Sequence, residues 1–441
     1  MKSVAFIGAQ SDDEGKGVRV AYYANLARNH LQKIYGDSKP HILVMRWQRG
    51  ANAGHTLFSD GKRYALHQLP SGIILPGTFN LMAEGVYFNP RKAKKEIEDL
   101  RMRGVKINQN NFGISSNSHV TLDYHVDLDD LDSLGRTGHT STGNGIKPTA
   151  VDKQARVGIR FEEFLDRTEF IEALKKRFPD EMPQKYISYE HFADSYVAEM
   201  EALSDLSVLQ TDVLRMDSLK VLIGEGAQGF QLDVDRGAYP GVTSSNPSIV
   251  PFRTDSIVGV VKMYESSVGG GRPFVGRMNK NLETRLRESW KEFGTTTGKP
   301  RNLGWIDIVE LRNAIDSSEI DFLIGTCGDR LQKLTKFGEK VKMIVAYEIE
   351  GKKFEKWDKS FHKRRNLYQA NPIFEEFDAW DKFYDPKTKS LTQNAQKFVN
   401  RIEHLTNKKF IAHGYGPEID DVLDIDKGFI LDLVAGKLYE N

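Results

Sequence analysis

GAQSDDEGKG, residues 8–17, follows the short apolar run SVAFI (Ser3–Ile7) and precedes apolar residues at helical spacing: Val18, Val20, Ala21, Tyr22, Ala24, Leu26 and Leu31. Strand, glycine-rich loop and helix in that order make a phosphate-binding start to an α/β fold. The loop departs from a Walker motif, which has four residues before Gly-Lys and then Ser or Thr. Here six residues separate Gly8 from Gly15, and Gly17 stands after Lys16 where the hydroxyl should be. Gly8, Gly15 and Gly17 let the backbone come close to a ligand. Lys16 supplies a point charge for a phosphate. Three acids, Asp12, Asp13 and Glu14, oppose an anion unless a metal intervenes. Asp13 or Glu14 is thus a candidate Mg²⁺ ligand or base. The alternative is a strand–helix turn with solvated acids.

Other short apolar runs end in similar loops. HILVM (41–45) leads into RWQRGANAGHT, KVLI (220–223) is read as a strand ending in GEGAQG, and DFLIG (321–325) ends in TCGD. Val341–Ile349 is a strand turning at Gly351-Lys352, and KKFIAHGYG (408–416) is a late strand and loop. Arg91–Leu100 reads as a helix after Asn89-Pro90, and residues 160–215 as mostly helical. The charged stretch 352–365 reads as solvated surface, with a hairpin and a following helix as one option. Such alternation predicts a P-loop-like nucleotide-binding α/β fold: a mainly parallel central sheet, helices on both faces and long functional loops. Ligands then bind beyond the carboxyl ends of the strands. The Gly/Thr/Ser-rich stretch 133–150 is too long for an ordinary connection and reads as functional. No repeat or low-complexity linker forces a cut, so residues 1–441 are read as one domain with helical and loop insertions.

Bulk properties narrow the class. The chain has 441 residues, 39% of them hydrophobic, and a net charge of +1, which gives no overall electrostatic reason to expect nucleic acid or membrane as partner. Cys327 is the only cysteine, which suits a reducing compartment, and no apolar run has membrane-spanning length. A cytoplasmic location is the expectation.

Several loops carry residue types suited to chemistry. In ANAGHTL (51–57), His55 stands among small residues with Asn52 nearby, and a histidine titrates near neutrality. In GEGAQG (224–229), Gln228 offers a donor and an acceptor to a base edge. VTSSNP (242–247) is hydroxyl-rich. EFGTTTGKPRNLGW (292–305) combines Thr295–Thr297 with Lys299 and Arg301, a loop suited to a small dicarboxylate. Asp329 in TCGD is a candidate acceptor for guanine N–H groups. Each stretch alone also has a plain structural reading, as turn or solvated loop.

Together these stretches resemble the adenylosuccinate synthetase family, whose members join aspartate to inosine monophosphate using GTP. The resemblance runs from near residue 1 to near residue 420. It also includes LHQLPSGII, LDYHVD, STGNGIKPTAVDKQARVG, GAQGFQLDVDRGAYPGVTSSN, RIEHLT and GYGPE. It implies a 6-phosphoryl purine intermediate that the aspartate amine then attacks. It implies Asp13 as base and Mg²⁺ ligand, the Gly54 carbonyl as a second metal ligand, His55 as acid, and Gln228 on the purine 6-oxygen. Nucleotide contacts would come from Glu14, Gly15, Lys16, Gly17, Asn52, Thr56, Thr142, Thr243, Lys299, Asp329 and Gly416. Arg156 would reach the monophosphate from the other subunit of a homodimer. Thr296, Thr297 and Arg301 would hold aspartate. Neither membrane nor nucleic acid enters this scheme.

Departures from the family pattern fall near the nucleotides. Ser11-Asp12 replaces Trp-Gly beside Asp13. Thr326-Cys327-Gly328-Asp329 lacks the lysine of the guanine-reading Thr-Lys-x-Asp. Lys299 replaces an arginine and loses its planar fork. Asn144 and Lys147 replace the usual Arg and Gly. These keep open the same chemistry on deoxyguanosine monophosphate, with ATP, dATP or GTP as donor, as in a viral branch of the family. That branch often has serine at the position of Asp13; the retained aspartate favours inosine monophosphate. A catalytically inactive nucleotide-binding regulator predicts missing catalytic groups, yet Asp13, His55, Gln228, Thr297 and Arg301 are all present. A generic P-loop GTPase switch conflicts with the loop spacing.

Overall fold

In the computed structural model the first strand runs Lys2–Gly8, buried throughout beyond Lys2, and the first helix runs Lys16–Tyr35. The structure describes residues 1–11, 14–36, 39–132, 142–268, 274–294, 298–362, 364–426 and 428–436. Contacts divide the chain into two compact units: Met1–Ser3, Val20–His55 and Ala65–Gly226 in one, Val4–Arg19, Thr56–Tyr64 and Ala227–Asn441 in the other.

The first unit contains parallel strands in the order Ser207–Val208, Phe112–Ser115, Thr78–Met82, Ile42–Arg46 and Val221 onward. Ile42–Arg46 is buried at every position, which is why HILVM reads as a continuous apolar run rather than an alternating one. Pro90 opens the helix Pro90–Met102, and the Asn89 side chain caps it by accepting from Lys92 N–H. Between 161 and 214 the chain forms five short helices. The segment is mostly helical, as expected, with a break at residues 178–188, which carry no helix. Pro179 and Pro183 interrupt the ladder there. Aromatic packing organises this region: Phe192 stacks on Tyr186 at 3.7 Å between centroids and meets Phe170 edge-on at 6.1 Å.

The second unit contains a parallel ladder of Val4–Gly8, Ser256–Lys262, Phe322–Thr326 and Phe410–Gly414, with Val422–Asp424 antiparallel at its edge. A further sheet pairs Tyr264–Val268 with Arg301–Asp307 antiparallel, and the latter with Val341–Ile349 in parallel. Val341–Ile349 turns back into Lys352–Phe354, the expected hairpin. The stretch that follows is less solvated than its charge suggested, since Phe361 is fully buried against Tyr347 and Trp357. Its described residues from 359 form 3₁₀ turns. The mostly parallel sheet with helices is the α/β class expected from the sequence.

One strand corrects the sequence reading. Val221–Gly229 is a single nine-residue strand, buried at every position, so GEGAQG continues the strand and does not follow it.

His413 is fully buried in Phe410–Gly414, and neither ring nitrogen has a hydrogen-bond partner among the described residues. Burial lowers its pKa to about 3, against an ordinary value of about 6.5. Above that ordinary value folded and unfolded chains are both neutral here. Below it only the unfolded chain takes up the proton, so stability falls by about 1.4 kcal/mol per pH unit until the folded pKa is reached. His413→Leu should therefore lose less stability than the parent between about pH 6 and pH 4, read as urea midpoints. Parallel pH profiles would show that His413 contributes nothing to acid sensitivity.

Candidate active site

The loop opened by Gly8 is held from several sides. A Cβ on Gly8 would lie 2.5 Å from the Gln228 carbonyl oxygen and 2.7 Å from Glu14 Oε2. A Cβ on Gly229 would lie 2.3 Å from the Gln10 carbonyl oxygen. Neither approach tolerates a side chain, because the neighbours are backbone or a buried acid. Gly15 has φ +86°, a conformation that favours glycine. The Gln10 side chain accepts from Lys262 N–H at 2.7 Å and donates to the Lys262 and Tyr264 carbonyls at 3.1 and 3.2 Å. Thr326 Oγ1 donates to the Glu14 carbonyl at 2.7 Å.

Glu14 is not the solvated acid of the plain reading. It is fully buried and paired with Lys16, itself 2% exposed. The pair sets the Glu14 carboxylate just before Lys16–Tyr35, where the helix dipole favours an anion. Ser11 is also buried, and its hydroxyl donates to Gln231 Oε1 at 2.8 Å. The polarity that replaces tryptophan is thus bound within the protein. Asp12 and Asp13 lie outside the described residues.

In the first unit His55 is buried, and its Nδ1 meets the fully buried Glu225 carboxylate. Glu225 also accepts from Ser71 N–H at 2.6 Å and Ser71 Oγ at 2.7 Å. Burial pushes the Glu225 pKa up, but the charges and hydrogen bonds of His55, Arg46 and Ser71 bring it below the ordinary value. A carboxylate there accepts the Nδ1–H hydrogen bond, and Nε2 is the ring nitrogen turned away from Glu225. Sequence reasoning overlooked Glu225. An acid between two glycines in an apolar strand was the available signal. Asn52 and Gly54 are half-buried in the turn before His55, and Asn52 Oδ1 has no partner among the described residues. Thr142 is exposed and its carbonyl accepts from Asn144 Nδ2 at 3.1 Å; Lys92 Nζ donates to Asn144 Oδ1. Arg156 is exposed, with φ 62° at a helix end.

In the second unit Gln228 is 4% exposed at φ 58°, and its Oε1 has no partner among the described residues. Thr56 is half-buried. Thr243 is half-buried, and its N–H donates to the Leu232 carbonyl at 2.8 Å. The adjoining loop is held by Asp233, which accepts from Ser248 Oγ at 2.6 Å and Asn246 Nδ2 at 3.1 Å. Thr295, Thr296 and Thr297 lie outside the described residues, and Lys299 is exposed. Arg301 is buried and donates to Glu292 Oε2 at 2.7 Å. Asp329 is half-buried, and burial first, then Asp421, raises its pKa while Arg330 lowers it. Asp421 also crowds Gly416, whose added Cβ would lie 2.3 Å from Oδ2. Beside it Tyr415 stacks on Tyr384 at 4.3 Å. Among the described residues no group of three or more His, Cys, Asp or Glu side chains is arranged to hold a metal.

The adenylosuccinate synthetase family model matches residues 5–423. The chain belongs to the adenylosuccinate synthetase family. An adenylosuccinate synthetase of Caldanaerobacter subterraneus subsp. tengcongensis is 36% identical over 96% of this chain and 99% of its own length. One from Streptococcus gordonii is 34% identical, over 95% and 97%. The fully ligated adenylosuccinate synthetase of Plasmodium falciparum superposes with a TM-score of 0.79 at 27% identity, covering 95% of this chain and 98% of that one. A cyanophage S-2L succinoaminodeoxyadenylate synthetase, solved with dGMP and dATP, has a TM-score of 0.58 at 16% identity over 99% of each chain, a likeness of fold alone. As a member of the adenylosuccinate synthetase family the protein is a C–N ligase of purine biosynthesis that joins L-aspartate to inosine monophosphate with GTP as co-substrate. None of its described helices is long and apolar enough to cross a membrane.

Proposed function

We propose that the ligation proceeds through a 6-phosphoryl purine, with Asp13 removing the N1 proton as the 6-oxygen attacks the γ-phosphate. His55, held by Glu225, acts as acid toward the moving phosphoryl group. Gln228 holds the 6-oxygen, and its unpartnered buried Oε1 supports a ligand-facing role. Lys16 and Asn52 bind phosphates, with Glu14, Gly15, Gly17 and Thr56 shaping their surroundings. Thr142 and Thr243 contact the monophosphate, and Arg301, Thr296 and Thr297 the aspartate carboxylates. Lys299, Asp329 and Gly416 serve nucleotide recognition.

The donor chemistry suits Mg²⁺, since a carboxylate at Asp13 and a carbonyl at the half-buried Gly54 are hard oxygen donors. When bound, the ion would neutralise phosphate charge. The exposure of Arg156 supports its reaching a second subunit, and hence a homodimer. We read the whole chain as one catalytic domain in the cytoplasm.

The observation that carries these roles is the buried His55–Glu225 pair, a histidine oriented by a carboxylate as an acid catalyst requires. A product assay tests the reading. With aspartate, Mg²⁺ and GTP, inosine monophosphate should yield its aspartate adduct by mass spectrometry, and Asp13→Ala should yield none. Adduct formed only on deoxyguanosine monophosphate would overturn the acceptor, and full turnover by Asp13→Ala would overturn the base.

A further inference from the structure

Glu292 stands just before the Thr-rich loop, fully buried, and one carboxylate gathers groups from several functional segments. Arg301 Nη1 donates to Oε2 at 2.7 Å. Oε1 receives Arg330 Nη1 and the Tyr264 hydroxyl, with Lys262 Nζ at 3.4 Å. Arg330 Nη1 also donates to Tyr264 Oη at 2.7 Å. The backbone repeats the link, since Arg301 N–H donates to the Glu292 carbonyl at 3.0 Å.

The partners come from distinct parts of the enzyme. Arg301 begins the strand that leaves the Thr-rich loop. Arg330 follows Asp329 on the turn that carries TCGD. Lys262 and Tyr264 are clasped through their backbone by Gln10 of the first loop. A surface carboxylate would hold such groups weakly, but a fully buried one exchanges no partner for water. Its loss therefore removes one anchor from Arg301 and from Arg330 together, while Arg330 keeps Tyr264 Oη.

We propose that Glu292 is a positioning residue that aims Arg301 at the amino-acid substrate and, through Arg330, couples that arginine to the turn bearing Asp329. The proposal rests on the reading of Arg301 as an aspartate contact. It follows that aspartate and the nucleoside triphosphate strengthen each other's binding through this carboxylate, reciprocally.

Glu292→Gln keeps the shape and removes the charge. Arg330→Met removes the link to the Asp329 turn, with its bond to Tyr264 Oη, and leaves the Glu292–Arg301 pair; Arg330 is a third exposed, so this variant tests the idea if the first fails to fold. Aspartate KM should rise roughly tenfold in Glu292→Gln and several-fold in Arg330→Met, with KM for inosine monophosphate within about twofold. The tightening of GTP binding by aspartate, measured by titration calorimetry, should vanish in Arg330→Met, and Arg330→Lys should restore part of it. Unchanged aspartate KM and unchanged coupling in folded variants would overturn the proposal. So would a common loss for every substrate accompanied by a lowered melting temperature, which marks a structural role. Arg301→Met separates the two readings: if it leaves aspartate KM unchanged, the assignment of Arg301 fails; if it raises KM while Glu292→Gln does not, only the present proposal fails.

Discussion

Replacing His55 by asparagine should lower kcat by roughly a hundred- to ten-thousandfold, the range general acid–base catalysis supplies. The imidazole is buried, with Nδ1 on a carboxylate that has no exposure to water. Asparagine retains a polar side chain but cannot deliver a proton near neutral pH. Glu225→Gln should produce a smaller loss, because the imidazole remains while its orientation and the stabilisation of its charged form weaken. Ser71, which donates twice to Glu225, holds the carboxylate in place and should make the amide variant fold. Steady-state rates at saturating substrates, with circular dichroism as the fold control, check this. Near-parental kcat in His55→Asn would remove His55 from the chemistry.

Lys16→Met should destabilise the protein by about 3–5 kcal/mol, the range seen when one partner of a buried pair is removed. Glu14 would then be a fully buried charge without its cation, packed against the backbone of Gly8 and Gly229. Triphosphate binding should disappear as well. The double variant Lys16→Met with Glu14→Gln should recover much of the stability but none of the nucleotide affinity, since it removes the stranded charge and not the missing one. Urea midpoints for the single and double variants form the cycle that reads this coupling. Equal destabilisation in both would show that the pair is not the source of the effect.

The two cases differ in how legible they were. The reading of Gly8, Gly15 and Lys16 as a phosphate loop rests on strand, glycine turn and helix following one another locally. Nothing local said that Glu14 would be drawn inside onto Lys16, since that depends on Gly229 and Thr326 closing over the loop. The reading of KVLI as a strand that stops before GEGAQG failed for a similar reason. Glycine and alanine weaken strand propensity in isolation, and pairing with Ile42–Arg46 carries the ladder through Gly224 to Glu225.

What the sequence alone determined is therefore the α/β class, the family and most of the candidate residues. Apolar runs, glycine turns and functional loops are contiguous, and contiguity is what periodicity and motif spacing record. Only the tertiary structure decided that Glu225 orients His55 and that Glu292 collects Arg301, Arg330, Lys262 and Tyr264. A buried carboxylate is chosen by partners 170 residues away in one case and up to 38 in the other. Its burial is stable only when those partners arrive together, which no local pattern of residues can express.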